Sequence, residues 1–233
     1  MSQSIDCEIC AFFDVDGTIL KITSLKSFQI TKHQYIYGHS KRCGQELDKI
    51  RTTIKTLREA GHSREYINKK YYQFFKNESK KETQKIAAIW WQNTLKNTTP
   101  LFINETVEKL KNHQKHNHRI ALVSGSFIEI LSPIAEYFGI NHIIATNLEV
   151  KNGLYTGNIA GFQTIGKGKR DAIMQFAAKE KLDLNQCHAY GDHISDLPML
   201  ELVGYPNVII GHDKDAELDK IACQKGWNRI ICK

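Results

Sequence analysis

Glu8-Ile9-Cys10-Ala11-Phe12-Phe13-Asp14-Val15-Asp16-Gly17-Thr18 runs from a short apolar segment straight into two acids and a glycine. The first half reads as a buried strand that ends in an acid. The residues beyond Thr18 decide which sheet this strand joins. From about Ser24 to Leu95 the pattern is helical throughout. Leu47, Ile50, Ile54 and Leu57 recur at helical spacing, Gly61 stops that helix and Ser63 caps the next, which carries Tyr66, Ile67, Tyr71 and Phe74. A further helix carries Ile86, Ile89 and Trp90 before a break at Asn97–Pro100.

After Pro100 helices and strands alternate. The helix Glu105–Gln114 leads to the strand Arg119–Val123, and the helix Phe127–Phe138 to the strand His142–Ala145. A hairpin over Leu148–Ile159 turns at Asn152-Gly153. A helix from Lys169 to Lys181 precedes the strand Cys187–Tyr190, and the strand Val208–Ile210 and the helix Ala216–Lys225 close the chain. Such alternation implies parallel pairing with right-handed crossovers. The expected fold is therefore α/β: a Rossmann-like parallel sheet sandwiched by helices, with an inserted all-helical cap. The expected units are 1–20 with 100–233 for the α/β core and 21–99 for the cap.

Charge divides along the same line. Of the formal net charge of +7, residues 21–99 carry 17 Lys and Arg against 6 Asp and Glu, and the remainder of the chain is net acidic. A basic unit can attract an anionic ligand, but these side chains are scattered over helical polar positions, as a solvated face would have them. Nucleic acid is disfavoured as a partner. At 233 residues, with 41% hydrophobic and 24% charged residues, the chain is neither disordered nor collagen-like. No apolar run approaches the roughly 20 residues of a membrane span. The polar N-terminus lacks a secretory signal, so a cytoplasmic protein with reduced cysteines is expected. The CxxC at Cys7 and Cys10 has no second pair to complete a zinc site.

In a parallel sheet, ligands sit outside the carboxyl ends of the strands. The ends to inspect follow Phe13, Val123, Ala145 and Tyr190, and three of them carry chemistry. After the first come Asp14 and Asp16, two carboxylates whose proximity calls for a cation such as Mg²⁺ among oxygen ligands. After Val123 comes Ser124-Gly125-Ser126, a hydroxyl followed by glycine at an expected helix start, offering N–H groups to an anion. After Tyr190 comes Gly191-Asp192-His193-Ile194-Ser195-Asp196, a second pair of carboxylates. Lys167 and Lys169 lie between them at a helix start. Together these describe a metal-assisted phosphoryl-transfer site.

DVDGT at 14–18, SGS at 124–126, Lys169 and GDHISD at 191–196 resemble, in order, the four motifs of the haloacid dehalogenase superfamily of phosphatases. The helical insertion and the hairpin stretch at 145–157 resemble its phosphoserine phosphatase-like branch. The resemblance covers roughly residues 12–231, and it implies a Mg²⁺-dependent phosphatase acting on a small phosphorylated substrate. Asp14 would be the nucleophile, and Asp16 the general acid and then base. Ser124 and the Gly125 N–H would hold a phosphoryl oxygen, with Lys169 neutralising charge. An Asp14 oxygen, the Asp16 carbonyl and Asp192 would bind Mg²⁺, with Asp196 in support. Lys169, 23 residues before Asp192, fits the lysine motif better than Lys167.

One departure concerns the substrate. The branch's phosphoserine enzymes carry an acid shortly after the first motif to recognise the substrate amine, whereas Leu20-Lys21-Ile22-Thr23-Ser24 has none and Thr23 stands in its place. Phosphoserine is therefore disfavoured. The same intermediate would also serve a phosphotransferase or mutase, and a non-catalytic basic binding module is the contrasting alternative. Lys21, Lys26, Arg42 and Arg51 are candidates for the cap's substrate contacts. Other features read as structural. The near P-loop Gly161-Phe162-Gln163-Thr164-Ile165-Gly166-Lys167-Gly168 lacks the final hydroxyl. His113, His116 and His118 read as a polar helix end, and Trp90-Trp91 and Tyr71-Tyr72 as cap core.

Overall fold

A computed structural model describes residues 8–97, 99–211 and 215–232. Strand β1 (Cys10–Phe13) has no exposed residue, and each fully buried Phe there contributes about 1.5–3 kcal/mol. The chain then enters four helices without an intervening named strand: α1 (Ser24–Tyr37), α2 (Lys41–Glu59), α3 (Arg64–Tyr72) and α4 (Lys80–Leu95). Ser40, Ser63 and Ser79 cap the last three, each accepting the amide of the residue three positions on.

Beyond this insertion come α5 (Asn104–Lys115), β2 (Arg119–Phe127), α6 (Ile128–Phe138), β3 (His142–Lys151), β4 (Leu154–Ala160) and α7 (Lys167–Glu180). The chain ends with β5 (His188–Gly191), α8 (Leu197–Leu200), β6 (Tyr205–Ile210), α9 (Ala216–Lys225) and β7 (Asn228–Ile231). The sheet order is β4-β3-β2-β1-β5-β6-β7. All neighbours are parallel except the β3–β4 hairpin, whose turn residues Asn152 and Gly153 both take positive φ, as a tight hairpin turn of this kind requires. Side chains of β1 and β2 alternate between two apolar layers. Ala11, Phe13, Ile120 and Leu122 face α5 and α6, and Cys10, Phe12, Ala121 and Val123 face α7, α8 and α9. This alternation is the period-2 signature of a strand.

The expected helical cap is present, and its apolar core is continuous with that of the sheet. Phe127, at the end of β2, packs against Phe28 and Phe75 of the insertion with ring centroids 6.2 and 4.9 Å away. Trp91 meets Tyr137 of α6 at 5.6 Å. The segments leaving and re-entering the core also pair: Lys21 N–H donates to the Leu101 carbonyl at 2.8 Å and Ile103 N–H to the Ile19 carbonyl at 2.9 Å.

Three local expectations are corrected. β2 continues through Ser124-Gly125-Ser126 to Phe127, so α6 begins only at Ile128. β3 does not end at Ala145 but runs on into the hairpin. β7 was not expected at all: it is four residues long and buries only Ile230, too little for an alternating pattern to show. No helix among the described residues is long and apolar enough to cross a membrane. Cys10 is buried as a free thiol, and Cys7, its CxxC partner, lies outside the described residues.

Candidate active site

Asp14 follows β1, and its N–H donates to the Tyr190 carbonyl at 2.9 Å, extending the β1–β5 ladder by one residue. The chain then folds back on itself, the Val15 carbonyl accepting from Ile19 and Leu20 N–H at 2.9 Å. Gly17 permits this turn with φ +84°, and a Cβ there would strike the Asp192 carboxylate. Asp16 points the other way, into the cap: its Oδ1 accepts the Ser24 N–H at 2.9 Å, in the first turn of α1. Burial pushes the Asp16 carboxyl up to about 6, with the Ser24 hydrogen bonds and then Arg64 and Lys169 opposing.

Lys169, in the first turn of α7, is buried and bridges two carboxylates. Its Nζ donates to Asp14 Oδ1 at 2.5 Å and to Asp196 Oδ1 at 2.7 Å. Asp196 is held in turn by the amides of Asp192 and His193, which donate to its Oδ2 at 3.2 and 3.3 Å. Only a residue without a side chain fits at 191, since a Cβ would lie 2.7 Å from the Asp196 Cβ. Asp192 accepts the Thr18 hydroxyl at 3.3 Å. Lys167, by contrast, is exposed.

One carboxylate oxygen each from Asp14, Asp192 and Asp196 lie within 4.8 Å of one another, the one such group among the described residues. Three carboxylates face one ammonium, so the cluster carries surplus negative charge. Burial pushes Asp14 up to about 8; Lys169 opposes, and Asp196 and Asp192 add to the rise. Burial alone would lower Lys169, but Asp14 and Asp196 outweigh it and hold the ammonium charged. A further cation would relieve this imbalance, and hard oxygen ligands suit Mg²⁺. The residues present fit such an ion.

Ser124 and Ser126 are buried at the end of β2, where its register against β3 shifts between Ser124 and Phe127. Their amides thus belong to an irregular strand end and not to a helix start; Phe127, the residue before α6, is itself extended, with its ring in the aromatic core. Ser126 N–H donates to Ser124 Oγ at 3.1 Å, and Ser126 Oγ lies 2.7 Å from Ser24 Oγ of the cap. Gly125 is packed under Ile165, whose Cγ1 would be 2.6 Å from a Cβ, and its carbonyl accepts the Tyr72 hydroxyl. Ser24, Thr18 and Tyr72 were not singled out from the sequence as site residues, although Thr18 is the last residue of DVDGT.

A cavity of about 800 Å³ opens above these groups. Asp14, Asp16, Ser124, Gly125 and Lys169 form its floor, and α1, α2 and α3 supply its other walls. Of the expected cap contacts, Lys26 and Arg51 line it and Lys21 and Arg42 do not; the Arg42 guanidinium sits 4.9 Å over the Tyr37 ring instead. Lys55, Arg58 and Arg64 line the cavity and were not anticipated. Thr23 lines it too, and Tyr71 faces it while Tyr72 and Trp90 are buried. Another hollow of about 940 Å³, near His188, Tyr205 and Trp227, contains none of the site residues.

The remaining features take structural places. Gly168, the last residue of the near P-loop, abuts the Gln163 carbonyl, which leaves no room for a side chain. His113 Nδ1 lies 2.8 Å from His118 Nδ1 and His113 Nε2 2.9 Å from the Tyr190 hydroxyl, so both ring nitrogens of His113 are engaged.

The chain matches the haloacid dehalogenase-like hydrolase family over residues 11–201. It is 41% identical over 129 residues to a probable phosphatase of Mycobacterium tuberculosis; the match covers 55% of this chain and 44% of that protein, less than half the relative's length. A solved structure of a protein of unknown function from Bordetella pertussis superposes with a TM-score of 0.79 at 24% identity, over 96% of this chain and 98% of that one. A substrate-bound phosphoserine phosphatase superposes with a TM-score of 0.63 at 18% identity, over 96% and 92%. The sheet order, the helical insertion after β1 and the family match lead to one conclusion: the chain belongs to the haloacid dehalogenase-like hydrolases, with the fold of their phosphoserine phosphatase-like branch.

Proposed function

We propose that the chain is a Mg²⁺-dependent phosphatase that hydrolyses a small phosphomonoester through an aspartyl-phosphate on Asp14. The observation that carries this reading is the bridging of Asp14 and Asp196 by the buried Lys169 ammonium, with Asp192 alongside, on the floor of a cavity. We take residues 21–99 as the cap of this enzyme and 1–20 with 100–233 as its catalytic core.

An Asp14 carboxylate oxygen attacks phosphorus and the ester oxygen leaves, taking a proton from Asp16. Asp16 suits that duty, since burial raises it to about 6, near working pH. In the second half, Asp16 takes a proton from water, whose oxygen attacks the phosphorus of the aspartyl-phosphate; inorganic phosphate leaves and Asp14 is regenerated. Lys169 neutralises charge on Asp14 and on the transferring oxygens, and Asp196 keeps that ammonium in place. Ser124 and the Gly125 N–H hold a phosphoryl oxygen. Asp14, the Asp16 carbonyl and Asp192 would hold Mg²⁺, which when bound offsets the negative charge of the phosphoryl group. Because Asp16 is bonded to Ser24 of α1, the position of the cap and that of the acid–base group are linked.

Thr23 lines the cavity at the position where the phosphoserine enzymes carry an acid, which argues against phosphoserine. A phosphate-release screen over phosphomonoesters with Mg²⁺ tests the reading. Release should stop with a chelator and fall ~10³-fold or more in Asp14→Asn. Persistent turnover in that variant would refute Asp14 as nucleophile. Phosphate transfer to an added alcohol in place of release would instead favour the transferase reading.

A further inference from the structure

We propose that the cap selects phosphomonoesters whose leaving group carries a second acidic group on an apolar body. The inference rests on the phosphatase reading above and adds the substrate class to it.

The cavity wall opposite the carboxylates is built from two adjoining stripes. On α2, Ile50 and Ile54 are buried one turn apart, and Arg51, Lys55 and Arg58 follow at i, i+4 and i+7, one position round the helix. Residues so spaced share a face, so a cationic ridge runs beside an apolar one. On α3 the same mixture recurs, with Arg64, Ile67 and Tyr71 spaced to look inward. Lys26 and Leu25 add one of each kind from α1.

The charge on this wall is not balanced internally. Beside Asp14 and Asp16, Glu59 is the one acid among the lining residues, and it lies 3.7 Å from Lys55. Arg51 has Asp48 at 3.2 Å. No carboxylate of a described residue lies within 4.0 Å of Lys26, Arg58 or Arg64, and Arg64 donates to the Ser195 hydroxyl at 3.3 Å. On this wall an ammonium on the leaving group would meet five cations and a single acid, Glu59, which already lies 3.7 Å from Lys55. These five cations are solvent-exposed, so a carboxylate or second phosphate would meet complementary charge whose attraction weakens as salt rises. The apolar stripe and the cavity's volume of about 800 Å³ suit a body larger than a three-carbon chain.

Three matched aryl phosphates test this: phenyl phosphate, 4-carboxyphenyl phosphate and 4-(aminomethyl)phenyl phosphate, assayed by phosphate release with Mg²⁺. We expect kcat/KM to fall in the order carboxy, unsubstituted, aminomethyl, with ~10-fold or more between the extremes at low ionic strength and less at high salt. In the double variant Arg51→Gln/Arg58→Gln, the carboxy-to-aminomethyl ratio should fall towards one, chiefly through KM. Circular dichroism and the melting temperature check that the variant is folded; if it is not, each single variant should still lower the ratio. Equal or reversed preference in a wild-type enzyme that hydrolyses phenyl phosphate would overturn the substrate class and leave the phosphatase reading standing. No release from any of the three, in wild type as in Asp14→Asn, would overturn both.

Discussion

Gly17 and Asp192 approach so closely that a β-carbon on residue 17 would overlap the Asp192 carboxylate, and Gly17 holds a left-handed φ of +84°. The turn after the first strand is therefore shaped to admit a side chain from the fourth motif. Gly17→Ala should cost ~1–3 kcal/mol in backbone strain and displace Asp192. We expect Mg²⁺-dependent phosphate release to fall ~10²-fold or more, with a lower melting temperature. Release at the wild-type rate would mean that Asp192 is not needed where it stands.

Asp14 supplies a pH signature. Its carboxyl is raised by burial to about 8 from the ordinary 3.8, so between those values the folded chain holds a proton that the unfolded chain has lost. From this group alone, metal-free stability falls as pH rises across that window. Asp14→Asn cannot ionise. In chelator, its melting temperature relative to wild type should therefore climb between about pH 5 and about pH 8, and Mg²⁺ should stabilise wild type more at the upper end. Thermal unfolding of both proteins across this range is the check; a difference that stays flat contradicts the burial account.

Asp16 governs the reaction's own pH dependence. With its carboxyl raised by burial to about 6, protonation of the leaving oxygen should weaken above that pH and activation of water below it. Asp16→Asn should lower kcat by ~10²–10⁴-fold and erase a limb of the pH–rate profile. An unchanged profile in the variant would assign that limb to another group.

His113 should stay neutral in mildly acidic solution. Burial, followed by His188 and His118, lowers it from 6.5 to about 3, so below about pH 6.5 the unfolded chain takes up the proton first. Its contribution to stability is present above that pH and is lost as pH falls. Imidazole resonances followed by NMR down to about pH 5 should show no protonation of His113; titration near 6.5 would mean that the cluster opens.

Legibility in the sequence differs from element to element. β1 and the acids after it were legible because an apolar run ending in Asp-x-Asp-Gly has few other uses. Ala216–Lys225 was legible to its ends, since Asp215 caps it and Gly226 closes it in the left-handed region. The Ser63 cap and the Gly61 stop were equally local. Ser124-Gly125-Ser126 does not open a helix as its sequence suggests, since β2 stays paired with β3 on either side of it, at Ser124 and at Phe127, a contact between distant segments. The cavity's cations were half missed for a related reason. Lys55 and Arg58 look like any solvated helical positions until α2 is laid over the site.

Local chemistry, then, determined the order of helices and strands, the apolar faces and the residue types gathered at the strand ends, since each depends on neighbours a few positions away. Tertiary structure alone decided that Lys169 would join Asp14 to Asp196, that Gly17 would yield space to Asp192, and which face of the cap would look down on them. Those are contacts between segments far apart in the chain, and only the packing of one apolar core shared by cap and sheet sets their distances.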